Sequence, residues 1–187
     1  LAALDAIAGS RIAPVREDAA WTLPPPPAVT AAGSSQIVMT GREEEWRLLR
    51  AAWERSVTGR RQLALVAGEP GIGKTRLVME FARSIAAEGY VLLGRCDQEA
   101  LVPQQPFVEA LEWYARQCPP AVLEGQLANV DGVWELAQLV APLARRVAGI
   151  HEPVESNPEG RRYRLFEAVA ALVSAIAGRQ PLLMVLE

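Results

Sequence analysis

Lysine is almost absent from this chain of 187 residues, whose 19 basic residues comprise 18 arginines and one lysine, Lys74. Such usage, with many alanines and prolines, is typical of a GC-rich genome, in which lysine codons are scarce. A lysine that persists at a single position indicates that arginine cannot replace it there, because the ammonium group is a compact point charge and the guanidinium group a broad planar fork. Lys74 is therefore the first candidate for a functional side chain.

Cysteine and histidine are also scarce, and Cys96, Cys118 and His151 are the full set. The two cysteines lie 22 residues apart without metal-ligating neighbours, which argues against a disulfide scaffold and a zinc cluster. We expect both thiols to be reduced and buried. His151 lies in a segment with proline and glutamate, and we expect it at the surface.

Long apolar runs and a strong charge are missing as well. The longest nearly apolar stretch, residues 168–177, is about half the ~20 residues that a membrane span needs. No basic region followed by an apolar run opens the chain, so no signal peptide is predicted. The net charge of −3 offers no basic surface for nucleic acid. These absences predict a cytoplasmic globular protein without a membrane partner.

Two segments differ in composition. Residues 1–36 contain the extended run Pro24–Pro27 and a stretch of small residues, which predict a linker or the tail of an upstream domain. Residues 37–187 have the apolar patterning of a folded domain. Because the chain starts at Leu1 without methionine and ends at Glu187 directly after an apolar run, we expect a piece of a longer protein, truncated after its third strand.

Apolar runs and helical periodicity alternate in the folded segment. Runs at 62–67, 90–94 and 182–186 predict three strands buried on both faces of a parallel sheet, with the third beside the first. Helical spacing predicts helices over 42–57 and 74–88. Three further helices are predicted between 104 and 178, marked by Phe107 to Tyr114, Val133 to Val147 and Leu165 to Ile176. This order predicts an α/β fold, a parallel sheet with flanking helices.

A glycine-rich loop between the first predicted strand and the next helix matches the pattern G-x-x-x-x-G-K-[ST]. The loop reads Gly68-Glu69-Pro70-Gly71-Ile72-Gly73-Lys74-Thr75. Its glycines let backbone amides turn inward around phosphates, and the helix N-terminus adds partial positive charge. Lys74 would bridge the β- and γ-phosphates, and the Thr75 hydroxyl would bind Mg²⁺. We therefore predict a P-loop nucleoside triphosphate-binding fold, in which this loop and the adjacent Arg76 hold the nucleotide.

Glu187 directly follows the third apolar run. A P-loop protein places its Walker B acid there, and that acid orients magnesium, usually through water. On this interpretation Lys74 and Glu187 are the catalytic residues, and Thr75 and Glu187 hold the metal. The alternative is a charge at a strand end that faces solvent.

ATP is favoured over GTP as the nucleotide. The guanine-reading motif of GTPases, Asn-Lys-x-Asp, needs a lysine, and the only lysine already lies in the phosphate loop. In GTPases that motif normally lies further along the chain than Glu187 does here, so its absence favours ATP without deciding the nucleotide.

Several further motifs accompany the loop. They are Gly41-Arg42-Glu43, Arg60-Arg61-Gln62, Gly94-Arg95-Cys96-Asp97 and the segments 105–111 and 163–169. Together with the loop they resemble the AAA-like ATPase module of large bacterial regulators in the STAND group. Such modules occur in actinobacterial LuxR-type and antibiotic-regulator-type transcription factors, and also fused to adenylate cyclase domains. The resemblance covers roughly residues 38–187.

The resemblance implies an ATP-driven switch with ATP and Mg²⁺ as cofactors. It places Met39 to Glu43, including Gly41 and Arg42, near the adenine, whereas the residues alone allow a solvated helix start at Arg42 and Glu43. Thr40 departs from the apolar residue usual there. A second acid, which polarises the attacking water, would follow Glu187.

The same resemblance implies self-association or an attached output domain, and contact with DNA only through a domain outside this chain. Two alternatives stay open: a non-hydrolysing ATP-binding module for oligomerisation, and a P-loop kinase. A kinase would need a lid with clustered arginines, whereas the stretch 104–178 has the pattern of apolar packing helices.

Overall fold

The computed structural model of the chain describes residues 21–31, 41–96, 104–147, 149–152 and 157–187. Met39 and Thr40, together with residues 1–20 and 32–36 of the predicted linker, lie outside these ranges. Among the helices described, none is long and apolar enough to cross a membrane.

Two parallel strands form the sheet of the described residues. They are β1 (Tyr90–Gly94) and β2 (Leu182–Leu186), with Tyr90 opposite Leu182 and Gly94 opposite Leu186. Their bounds confirm the second and third predicted strands. Because the strands are parallel, their carboxyl ends meet at one edge of the sheet.

The first predicted strand, 62–67, is wrong. These residues are irregular, and Leu63 and Leu65 expose 87% and 86% of their surface. We expected β2 beside this segment, but β2 pairs with β1. A strand is held by hydrogen bonds to a neighbouring strand. Within the described ranges no strand pairs with 62–67, so its apolar composition does not suffice to make it one.

One face of the sheet is covered by three helices, the last of which begins at the phosphate loop. Successive side chains of a strand point to opposite faces, and Val91, Leu93 and Val185 lie on this one. The helices are α1 (Pro27–Ala31), α2 (Glu43–Val57) and α3 (Lys74–Ile85). Their buried side chains in this core are Val29, Trp53, Met79, Phe81, Ala82 and Ile85. The predicted helices over 42–57 and 74–88 are confirmed, the second ending three residues earlier.

Five helices cover the opposite face, where Tyr90 and Leu92 point. They are α4 (Gln105–Gln117), α5 (Pro120–Leu127), α6 (Val133–Leu139), α7 (Ala141–Arg146) and α8 (Pro158–Ala177). The sheet therefore lies between two helical layers. All of β1 is buried, as its continuous apolar run predicts, whereas β2 is only partly buried and Leu186 is 45% exposed, so the expectation of a third strand buried on both faces is wrong.

Two expectations need correction, and one helix was missed. The single helix expected from Val133 to Val147 is broken at Val140, and Pro142, which has no backbone N–H to donate, lies in the first turn of α7. Helix α5 was not predicted. The expectation of two buried thiols is confirmed for Cys118 and wrong for Cys96, which is exposed, and neither cysteine forms a disulfide.

Part of the predicted linker packs on the folded core. The ring of Trp21 lies 5.8 Å from that of Tyr90 and 5.9 Å from that of Tyr114, and Val29 is fully buried. The exposed position expected for His151 is confirmed. The division of the chain between residues 36 and 37 stays a prediction.

Candidate functional site

The phosphate loop, residues 68–75, runs directly into α3. Gly71 and Gly73 adopt φ angles of 77° and 93°, in the left-handed region that glycine enters without steric cost. Gly73 caps the helix, and its carbonyl accepts the backbone N–H of Leu77 at 3.0 Å. The two glycines therefore allow a sharp turn that places the N-terminus of α3 at the loop, where an anion is favoured.

The side chain of Lys74 folds back over the loop. Its ammonium Nζ donates hydrogen bonds to the carbonyl oxygens of Gly68 and Glu69, both at 2.9 Å. A positive charge is thus held within the loop by neutral acceptors. Phosphate oxygens form stronger, charge-assisted hydrogen bonds and would compete well for this ammonium.

Thr75 and Glu187 are in direct contact although they lie 112 residues apart. The hydroxyl of Thr75 donates a hydrogen bond to the Oε1 atom of Glu187. The backbone N–H of Glu187 donates to the carbonyl of Gly94 at 2.9 Å, which extends the pairing of β2 with β1 by one residue. The carboxylate is thereby fixed at the carboxyl edge of the sheet, next to the first turn of α3.

This pair fits the donor set of a magnesium site. Mg²⁺ binds hard oxygen ligands, and it is typically held by one or two protein oxygens together with substrate phosphates. The hydroxyl of Thr75 and the carboxylate of Glu187 provide two such oxygens. No group of three or more histidine, cysteine, aspartate or glutamate side chains suited to a metal occurs among the described residues. The protein oxygens therefore match a metal completed by phosphate oxygens rather than an all-protein cage.

Arg42 contacts the loop from the start of α2. Its Nη2 donates to the carbonyl oxygen of Ile72 at 3.1 Å, and its Nη1 donates to Oε1 of Glu45 at 2.6 Å. The family resemblance implied a place near the base for Arg42, and the sequence analysis missed Glu45 altogether. The spacing of three residues between Arg42 and Glu45, typical of ion pairs on a helix surface, was the available signal. The backbone N–H of Gly41 donates to Oε1 of Glu43 at 3.1 Å, so this motif is ordered by its own acids.

The remaining predicted site residues lie at the tip of the loop or along α3. Glu69, Pro70, Gly71 and Ile72 are exposed. Arg76 donates from Nε to Glu80 at 2.9 Å, one turn further along the helix.

Two cavities of the described residues differ in their relation to the loop. A cavity of about 340 Å³ adjoins the loop, with α2 and the segment 63–67 forming its other walls. A larger cavity of about 1120 Å³ lies among α5, α6 and α8, around the ion pair of Arg164 with Glu135. No predicted site residue lines the larger cavity. Of the candidate site residues, Arg42, Ile72, Gly73 and Lys74 line the smaller cavity, whereas Thr75 and Glu187 are not among its lining residues.

Comparison with known families agrees with this geometry. The family model of the AAA ATPase domain matches residues 38–187, and the chain belongs to this family. A search of curated proteins and a search of solved structures find no match. Membership of the family supports a P-loop ATPase module and a nucleotide-binding role, and the parallel sheet between helical layers fits the α/β fold expected for it.

Proposed function

We propose that this chain binds ATP with Mg²⁺ through residues 68–75 and serves as the switch module of a multidomain bacterial signalling or transcriptional regulator. The observation that carries the proposal is the contact between Thr75 and Glu187 beside a loop that holds the only lysine of the chain. The match to the AAA ATPase domain family supports it independently.

In this proposal each group at the loop has a different role in binding Mg²⁺-ATP. Backbone N–H groups at the glycines and the N-terminus of α3 would surround the phosphates. Lys74 would exchange the carbonyl oxygens of Gly68 and Glu69 for phosphate oxygens, which are better acceptors because they are charged. Thr75 and Glu187 would hold Mg²⁺, which neutralises phosphate charge when bound.

The regulatory part of the proposal rests on the motifs around the loop. The resemblance to STAND-type modules of LuxR-type regulators suggests slow ATP hydrolysis that resets a switch in the cytoplasm, with self-association or an attached output domain as the responding partner. Contact with DNA would fall to a domain outside this chain. A turnover assay on the longest natural form of the protein separates a hydrolysing switch from a binding module that uses ATP only to assemble.

Titration of a fluorescent ATP analogue with Mg²⁺ tests the site. Lys74→Ala is expected to lose most of the affinity, and Lys74→Arg to recover little of it, because the broad guanidinium does not fit where the ammonium does. Arg83→Ala, an exposed change of charge at the other end of α3, is the matched control and should bind like wild type. Unchanged affinity in Lys74→Ala would remove the site assignment. Stronger displacement of the analogue by GTP than by ATP would overturn the assignment of ATP as the nucleotide.

A further inference from the structure

The phosphate loop is contacted by a side chain from outside it, that of Arg42. Ile72 lies between Gly71 and Gly73, both in left-handed backbone conformations, and glycine gives the chain freedom to leave such a conformation. The carbonyl of Ile72 accepts a hydrogen bond from Arg42, which lies 30 residues earlier in the chain. The contact therefore restrains the segment between these two glycines from another element.

This contact also sets the direction of a loop amide. In a trans peptide the carbonyl and the following N–H point in opposite directions, and no cis peptide bond occurs among the described residues. Holding the carbonyl of Ile72 toward Arg42 turns the N–H of Gly73 away from it. The amide of Gly73 is one of those that the loop pattern supplies to phosphate. A flip of this peptide would replace that donor with a carbonyl oxygen, which repels an anion.

Arg42 is itself held from a second side. Its Nη1 donates to Glu45 while its Nη2 donates to Ile72, so the two ends of one planar guanidinium are occupied. The side chain is 30% exposed and that of Glu45 41%. A planar fork bound at both ends keeps its orientation, which a flexible ammonium would not. The pKa of Glu45 is lowered, first by its own backbone N–H and then by Arg42, which favours the carboxylate that accepts from the guanidinium.

We propose that Arg42 is a positioning residue that fixes the peptide between Ile72 and Gly73 for phosphate binding, and that Glu45 orients it. This inference rests on the proposed function and deepens it. The role differs from contact with the adenine, because it acts through the loop and is independent of the base.

A pair of ligands separates the two roles. One is ATP with Mg²⁺, and the other is inorganic tripolyphosphate with Mg²⁺, which has the phosphates but no base; each displaces a fluorescent ATP analogue. Arg42→Ala is expected to weaken both ligands by the same factor, about tenfold, because a hydrogen bond from a charged group is lost. Arg42→Lys keeps a cationic donor and should recover part of the loss for both. Glu45→Gln, a change of a partly exposed side chain to one of the same shape, should weaken both by an equal and smaller factor.

Arg47→Ala is the matched control, since Arg47 forms the same kind of ion pair with Glu44 on α2, three residues apart and well exposed. It should bind both ligands like wild type. Weakening confined to ATP in the Arg42 variants would identify a base contact and overturn the inference, as would unchanged binding of both ligands. If Arg42→Ala fails to melt cooperatively, Arg42→Lys and Glu45→Gln replace it. Equal weakening of ATP and tripolyphosphate in these variants supports the positioning role, and weakening of ATP alone or of neither ligand overturns it.

Failure of the proposed function has a different signature. Absence of ATP binding by wild type, or full binding by Lys74→Ala, would overturn the nucleotide site and the inference with it. Loss of binding in Lys74→Ala with wild-type binding in the Arg42 and Glu45 variants would overturn the positioning role alone. Failure of tripolyphosphate to displace the analogue from wild type that binds ATP would also overturn it, because the loop would then not hold phosphates by itself.

Discussion

The hydroxyl of Thr75 donates a hydrogen bond to the carboxylate of Glu187 across 112 residues of sequence. The contact joins the first turn of α3 to the carboxyl end of β2. A helix N-terminus favours anions, yet a carboxylate beside it would repel the phosphates that the loop is patterned to bind. A divalent cation between carboxylate and phosphates removes this conflict. The pair is therefore the point at which metal and nucleotide binding should be coupled.

Replacement of Glu187 by glutamine should reduce the benefit of Mg²⁺ for nucleotide binding. The glutamine oxygen still accepts from Thr75, but the charge that favours a cation is gone. We expect Mg²⁺ to tighten ATP-analogue binding by wild type, and this tightening to fall by about tenfold in Glu187→Gln. Titrations with Mg²⁺ and with excess EDTA measure it, and the exposed Glu54→Gln on α2 is the control. An equal effect of Mg²⁺ on wild type and Glu187→Gln would exclude Glu187 from the metal site.

Glu88 links the end of α3 to α2, and its loss should destabilise the fold. Its carboxylate accepts from Arg50 at 2.7 Å and from the indole N–H of Trp53 at 3.0 Å. The pKa of Glu88 is lowered from its ordinary 4.5, first by Arg50 and then by Trp53. A lowered folded pKa contributes stability above the unfolded value and loses it as pH falls through the folded value.

Thermal melts of wild type and Glu88→Gln at several pH values measure the contribution of the Glu88 charge to stability. At pH 7 we expect a melting temperature slightly below that of wild type, because an exposed ion pair contributes little to stability. The difference should shrink as the pH falls below 4.5, where wild-type Glu88 also becomes neutral. A difference that stays constant between pH 7 and pH 3 would show that the charge of Glu88 contributes nothing.

Local pattern was enough to predict β1, β2, α3 and α8, because each has an uninterrupted apolar run or helical periodicity with a glycine or proline at its end. The same apolar pattern at 62–67 misled us, because a strand also needs a neighbour, and pairing is not visible in the segment itself. The assignment of Thr75 and Glu187 to one metal site implied that they lie close together, and the structure brings them into contact, although the strand expected at 62–67 before the loop is not formed. The bond from Arg42 to Ile72 could not be predicted, because it depends on how α2 packs against the loop.

Gly94, at the end of β1, should not tolerate a methyl group. A Cβ built there would overlap the backbone carbonyl of Pro106, in the first turn of α4. Backbone atoms cannot move aside like a flexible side chain, so Gly94→Ala should cost about 1–3 kcal/mol of unfolding free energy. Gly125→Ala in α5 is the control, because a Cβ there meets nothing within 4 Å, and it should stabilise slightly. Urea denaturation measures both, and a Gly94→Ala variant as stable as wild type would contradict the close approach of α4 to β1.

The two cysteines should react with thiol reagents at very different rates. Cys96 is exposed, whereas Cys118 is fully buried and its thiol lies 3.5 Å from both the hydroxyl of Tyr114 and the carbonyl of Pro119. Burial raises the pKa of the Cys118 thiol, so less of the reactive thiolate forms, and the side chain is shielded as well. A chromogenic disulfide reagent at pH 8 should modify one thiol per native chain rapidly, and the second only when urea unfolds the protein. Cys96→Ser should abolish the rapid phase and Cys118→Ser should retain it. Two rapid phases in the native wild type would show that the helical layer formed by α4 and α5 does not close over Cys118.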